Sequence, residues 1–180
     1  MARNADRTRA RILEAATAEF SARGIAGARV DRIADAAECN KALLYSYFGN
    51  KEQLFDAVFA ALVARLVAEN PLDAEHLDRY AGELVDSSLE RPELVRLALW
   101  DRLERGGAGM RSDDLLATDA AKLAAIADAQ ASGTISDRFS PTEILALVQV
   151  LSSILPVLLD GASDARVRDV VTTAVARLLD

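Results

Sequence analysis

The sequence has one cysteine, Cys39, one histidine, His76, and only 4 prolines in 180 residues. A single cysteine excludes an internal disulfide framework. With a lone histidine beside it, no Cys/His metal cluster can be written, so neither a metal nor a cofactor is expected. The same scarcity leaves no reacting constellation of nucleophile, base and orienting group, and an enzyme is not expected. Aromatic residues make up only 5% of the chain, so its core must be built from Ala, Leu, Val and Ile. The first residues, MARNADRTRAR, lack the apolar stretch of a signal peptide. The longest apolar run, 144–159, carries polar interruptions and reads as shorter than the roughly 18 residues of a spanning helix. No membrane partner is expected, and a cytoplasmic location follows.

Half the residues are apolar (51%) and 27% are charged, a balance that suits a globular chain with a core. Few prolines and abundant alanine favour helices over strands. The net charge of −7 is unevenly spread. Residues 1–51 hold nine basic and six acidic groups, and the other 129 residues hold 12 basic and 22 acidic ones. A basic head on an acidic body can meet phosphates with one end only.

Apolar periodicity predicts about nine helices and no strand. Asp6 reads as the cap of a first helix with Ile12, Leu13, Ala16 and Phe20 on one face, and Gly24 stops it before a loop over 24–27. A short helix follows over 29–37, with Val30, Ile33, Ala34 and Ala37 inward. After a turn at Glu38-Cys39, Asn40 caps a third helix over 41–47. Asn50 and Gln53 approximate a capping box for a helix running to Asn70-Pro71 and carrying Leu54, Val58, Ala61, Leu62 and Leu66. Further helices read over 74–89, 92–104 and 114–130. Ser140-Pro141-Thr142-Glu143 is the clearest start in the chain, with a kink expected at Pro156. The last helix spans 164–179.

The second and third helices are too short to persist alone. They need a platform, which Phe20, Ile33, Leu44, Phe48 and Leu54 supply. A three-helix head with a short exposed third helix is the form that enters a major groove. Lys41 can donate to guanine or phosphate, and Asn40 through its amide. Tyr45 and Tyr47 can bond phosphates, Lys51 adds charge at the next helix start, and Arg29 and Arg32 are candidate phosphate clamps. Arg3 and Arg7 suit an arm toward the minor groove. Cys39 reads as a small hydrophobe in preference to a redox sensor.

The stretch RILEAATAEFSARGIAGARVDRIADAAECNKALLYSYFGNKEQLFDAV (11–58) resembles the DNA-binding signature of the tetracycline-repressor-like (TetR) regulators. Ile33-Ala34, Leu44-Tyr45, Tyr47-Phe48, Lys51-Glu52 and Leu54 fall in register with it. The resemblance implies that Asn40, Lys41 and Ala42 read the groove, and that Tyr45, Ser46, Tyr47 and Lys51 touch backbone or nearby bases. Three departures stand out. Glu38-Cys39 replaces the usual Gly-Val of the turn. Ala28-Arg29 replaces the hydroxyl pair that opens the second helix. Ala42-Leu43 stands where Gly-Thr is common, so that Leu43 offers a thymine methyl an apolar contact.

The expectation is therefore an all-α protein with a helix-turn-helix domain over 1–50 and a ligand-binding, dimerising body over 51–180. The function expected is a sequence-specific repressor that binds a palindromic operator in double-stranded DNA as a homodimer and is relieved by a small-molecule effector. A helical adaptor without specific DNA binding is the alternative. The run over 144–158 is apolar nearly all round and needs cover from a second copy. The dimer surface expected is Leu147, Leu151, Ile154 and Leu158 with Val167, Val170, Val171, Ala174, Val175 and Leu178. Tyr80, Leu97, Trp100, Met110, Leu116 and Leu123 are candidates to line the effector chamber.

Overall fold

The computed structural model describes residues 2–159 and 161–179, and for Ala2, Arg3, Asn4, Met110 and Asp114 the backbone alone. Ten α-helices are described: α1 Ala2–Gly27, α2 Val30–Ala36, α3 Lys41–Phe48, α4 Lys51–Glu69, α5 Leu77–Glu90, α6 Pro92–Arg105, α7 Asp113–Ala131, α8 Pro141–Ser153, α9 Leu155–Leu158 and α10 Asp164–Leu179. A 3₁₀ turn, Gly109–Arg111, precedes α7. Among the described residues there is no strand, and the all-α expectation holds.

The chain divides into two compact units that do not follow chain order. One is Met1–Arg65 with Arg96–Met110, and the other is Leu66–Val95 with Arg111–Asp180.

In the first unit Ile12, Ala16, Phe20, Ile33, Leu44 and Leu54 are wholly enclosed. The five expected platform residues are all buried. Phe55 and Phe59, absent from the sequence reading, complete this core. The Phe55 ring meets Phe20 edge-on at 5.3 Å and stacks on Phe59 at 6.0 Å. Ala61, expected inward, is exposed, because Leu54, Phe55, Val58 and Phe59 already set the inner stripe of α4.

The second unit is built on α5, whose Leu77, Tyr80, Ala81, Leu84 and Val85 pack with Ile126 of α7, Ile144, Leu145 and Val148 of α8, and Val167, Val171 and Val175 of α10. Gly82 lets α10 approach α5 closely: a Cβ there would stand 2.9 Å from the Arg168 guanidinium and 3.0 Å from Thr172 Cγ2.

Several local expectations need correction. Asp6 does not cap α1, which already begins at Ala2. Alanine and arginine sustain a helix there, so Arg7 lies exposed on it and not in an extended arm, while the side chain of Arg3 lies outside the described residues. Gly24 breaks α1 with φ 70° and ψ 179°, yet helical bonding resumes to Gly27. The fifth helix starts at Leu77 because Asp73 accepts the backbone N–H of Glu75 (3.1 Å) and of His76 (3.2 Å), holding 74–76 in a turn. The kink at Pro156 is a break at Ile154 that separates α8 from the single turn of α9. Proline has no N–H to continue the ladder. Finally, 141–158 makes an 18-residue window with mean hydropathy 1.7, long and apolar enough to span a membrane by that measure. Only 22% of this window is buried.

Candidate nucleic-acid interface

Helix α3 is short, and its sequence KALLYSYF divides cleanly by face. Leu44 and Phe48 are buried, whereas Lys41, Ala42, Leu43, Tyr45 and Ser46 are exposed. Tyr45 is 43% exposed and Leu43 37%, too open for core residues. Asn40 caps the helix, its Oδ1 accepting the Leu43 N–H at 2.7 Å. Its amide NH₂ can still donate outward. Ser46 Oγ donates to the Leu43 carbonyl at 2.9 Å, which leaves the hydroxyl oxygen as an acceptor. One polar-to-apolar surface thus holds six of the ten residues expected to meet DNA.

The other four have more specific duties in the isolated protein. Tyr47 is half-buried and its hydroxyl donates to the Ala5 carbonyl at 3.4 Å. Lys51 Nζ donates to the carbonyls of Ala26 and Ala28 at 3.2 and 3.3 Å, closing the end of the loop before α2. Arg32 Nε donates to Glu19 Oε1 at 2.9 Å. Arg29 occupies the cap position of α2 with no side-chain cap. Its backbone N–H is accepted instead by Glu19 Oε1 at 3.0 Å.

Glu19 was missed by sequence reasoning, because it lies ten residues from the cap N–H that it accepts and nothing local pairs the two. Its side chain is 11% exposed, and it also pairs with Arg23 at 3.4 Å. The turn has a similar substitute. Glu38 adopts φ 48°, the left-handed conformation that a glycine takes most easily. Arg11 donates to the Ala37 carbonyl and pairs with Glu38 at 2.9 Å. Glu38 therefore points outward but beside a cation. Cys39 lies next to this pair. Its partial burial raises the thiol above its ordinary value against the pull of Arg11, which disfavours a reactive thiolate. Lys41 is paired with Asp31 in the first turn of α2. Arg9 sits over the Phe48 ring at 5.4 Å.

Residues 96–109 brace this unit. Trp100 Nε1 donates to the Ser21 carbonyl at 3.3 Å. Glu104 accepts the N–H groups of Ile25 (3.2 Å) and Ala26 (2.6 Å) that the break at Gly24 leaves open. Arg105 pairs with Asp56 at 2.8 Å, and the buried Asp101 accepts the Gly109 N–H at 3.0 Å.

The six residues expected around an effector are divided between the two units. Leu97 is fully buried in the first unit. Trp100 borders an open groove of about 340 Å³ in that unit, with Ser21, Ala22, Arg96, Leu99 and Leu103. Tyr80 is enclosed in the core of the second unit, with Lys122 Nζ 6.0 Å from its ring centroid. Leu123 is half-buried against that core, and Leu116 is 52% exposed. The side chain of Met110 lies outside the described residues.

The expected dimer surface also splits. Val167, Val171 and Val175 are buried within the protomer, facing α5 and α8, so they are withdrawn from that surface. A periodicity argument cannot tell which partner a stripe faces. Leu147, Leu151, Ile154, Val170, Ala174 and Leu178 are half-buried, and Leu158 is 71% exposed. Val150 and Val157, in the apolar run expected to need cover, are 55% and 57% exposed. Phe139, Glu143, Ala146, Leu147 and Val150 line an open, mainly apolar groove along α8.

Comparisons with known proteins agree with this geometry. Residues 12–58 match the family model described as bacterial regulatory proteins, tetR family, and residues 76–177 match the tetracyclin repressor-like C-terminal domain. The chain is 36% identical to the HTH-type transcriptional repressor SCO4008 of Streptomyces coelicolor, over 99% of this chain and 98% of that one. It is 35% identical to the HTH-type transcriptional repressor NicS of Pseudomonas putida, over 64% of this chain and 58% of the relative. Among solved structures, the putative transcriptional regulator SCO4942 of Streptomyces coelicolor superposes with a TM-score of 0.85 at 35% identity, covering 96% of this chain and 98% of that one. With an exposed α3 on a buried platform and both family domains matched along its length, the chain belongs to the TetR family of DNA-binding transcriptional regulators.

Proposed function

We propose that the protein is a repressor that binds a palindromic operator as a homodimer and is released by a small effector. The observation that carries this reading is the outward face of α3. Asn40, Lys41, Ala42, Leu43, Tyr45 and Ser46 are all exposed on one short element whose inner residues are wholly committed to packing. Lysine and asparagine supply groove donors, Leu43 an apolar surface for thymine methyls, and Tyr45 a phenol for backbone or base edges. Arg29, Arg32, Tyr47 and Lys51 belong to the same interface as groups that position the head on phosphates. The sense of the regulation is supported by the relatives named as repressors. Acting on DNA assigns the protein to the cytoplasm and gives it no catalytic step.

Dimerisation is supported by the apolar face of α8 and α9. Leu147, Val150, Leu151, Ile154, Val157 and Leu158 recur at helical spacing, and much of their surface lies uncovered in a single chain. Val170, Ala174 and Leu178 extend that face on α10. A second copy related by a two-fold axis covers it, and two heads then read two half-sites. The effector is small and partly apolar, in keeping with Leu123 packed against the core that holds Tyr80 and with the exposed Leu116 on the same helix.

Selection of bound duplexes from a random pool tests the reading. The purified protein is expected to enrich an inverted repeat. Replacing Lys41 with Ala is expected to weaken binding to it without altering dimerisation or helicity. Enrichment of no motif favours the adaptor alternative.

A further inference from the structure

Lys41 is the only cation in the α3 sequence, and it sits in the first turn, at the exposed end of the candidate reading surface. Its ammonium is paired with the carboxylate of Asp31, which lies in the first turn of α2. Both side chains remain about half exposed, 56% for Lys41 and 47% for Asp31. The helix N-terminus favours a carboxylate at that place whether or not Lys41 is there. An ammonium carries three donors, so Lys41 can hold Asp31 with one and offer the others to a ligand. What the pair no longer offers is a net positive charge, because a carboxylate stands beside the ammonium. A phosphate approaching Lys41 meets Asp31 as a like charge. Neutral acceptors on a base edge, such as guanine O6 and N7, meet no such repulsion.

We propose that Asp31 is a specificity-determining residue: it screens Lys41 from phosphates and commits it to base-edge acceptors in the groove. This rests on the DNA-binding reading above. Its physical content is that Asp31 weakens sequence-independent binding more than sequence-specific binding, thereby widening the ratio between them. Arg32 and Arg11, each paired with a carboxylate, belong to the same pattern of restrained charge in a head whose basic excess is only three.

The test measures affinity for a random-sequence duplex and for the wild-type-selected duplex, each as a function of salt, for the full chain. The proteins compared are wild type, Asp31→Asn, Lys41→Gln and the double variant. Freeing one cation for one phosphate steepens the salt slope on random DNA by about 0.9, and strengthens that binding roughly eightfold at 0.1 M salt. Asp31→Asn is expected to show both changes and a narrower specificity ratio, while the double variant shows neither, having no lysine to release. Asp31→Ser, which likewise removes the carboxylate but keeps a hydroxyl at the helix start, is expected to repeat the result. A selected motif with an unaltered salt slope in Asp31→Asn overturns the proposal alone. Equal gains in the single and double variants also overturn it, because Asp31 then acts through general charge and not through Lys41. A wild type that selects no motif overturns the proposal together with the reading it rests on.

Discussion

Glu19 Oε1 lies 3.0 Å from the backbone nitrogen of Arg29 and accepts its hydrogen. A carboxylate from α1 thus takes the N–H of α2's cap residue, the donor that the N3 carboxylate of a capping box would otherwise take. The same oxygen holds Arg32 at 2.9 Å, so one side chain fixes both the entry of α2 and one candidate phosphate contact. Glu19→Ala is expected to destabilise the protein by about 1–2 kcal/mol, the range for loss of a cap or of a partly buried acceptor. Glu19→Gln, which keeps an acceptor, is expected to lose less. Denaturant titration followed by circular dichroism reads both, and an Ala variant as stable as wild type would remove Glu19 from this role.

The turn at Glu38 makes an ordered series. A β-branched residue at φ 48° meets its own backbone, at a cost of about 1–2 kcal/mol. Glu38→Val is therefore expected to lower the unfolding midpoint. Glu38→Gly relieves the backbone while losing an exposed ion pair worth about 0–1 kcal/mol, and is expected to fall at or near wild type. The opposite ranking would contradict the strain assigned here.

Gly24 is the stricter case. A Cβ there would stand 2.4 Å from Glu104 Oε1 and 2.9 Å from the Trp100 ring, on a backbone with φ +70°. Gly24→Ala is expected to cost about 2–4 kcal/mol from combined strain and overpacking. Trp100 is the chain's one tryptophan, so its emission reports on the site directly. A variant with wild-type stability and an unshifted emission maximum would show that the close packing is not maintained in solution.

The start of α8 responds to acid. The Glu143 carboxyl accepts from the Ser140 backbone N–H and hydroxyl, both at 2.8 Å, and these bonds hold it below the usual carboxylate range. A depressed carboxyl contributes stability that is present above its unfolded-state value and is lost as pH falls through the folded-state value. Wild type is therefore expected to lose part of its stability on acidification that Glu143→Gln does not lose. Parallel curves of melting temperature against pH for the two proteins would refute it.

The exposed apolar face of α8 and α9 separates association from folding. Val150→Asp with Leu158→Asp places two charges where a second copy is proposed to pack, on side chains 55% and 71% exposed. The double variant is expected to sediment as a folded monomer with helicity retained. A dimer that survives both changes would place the interface elsewhere.

Local rules made the helices and the head legible. Ser140-Pro141-Thr142-Glu143 forms the full capping box that its residue types indicated, because every partner lies within four residues. Leu44 and Phe48 could be placed inward from the residues themselves, whereas Ala42 and Leu43 were placed on the reading face by the family resemblance. Longer-range contacts were not legible. Glu19 reaches ten residues to Arg29, and Glu104 reaches 79 residues to Ile25. Nothing in either neighbourhood names the partner. The valines of α10 make the same point, since an apolar stripe states that it is covered and not by which helix. Trp100 is a further case, since its N–H goes to the Ser21 carbonyl 79 residues away.

Hydroxyl-radical footprinting of the dimer on its selected duplex tests most directly whether α3 reads operator DNA. Wild type is expected to protect two symmetric patches on one face of the helix, centred about one turn or a little more apart. Lys41→Ala is expected to lose them at a concentration where wild type is saturated. Protection that persists unchanged in Lys41→Ala, or a single patch without symmetry, would contradict the assignment of α3 as the reading element of a two-headed repressor.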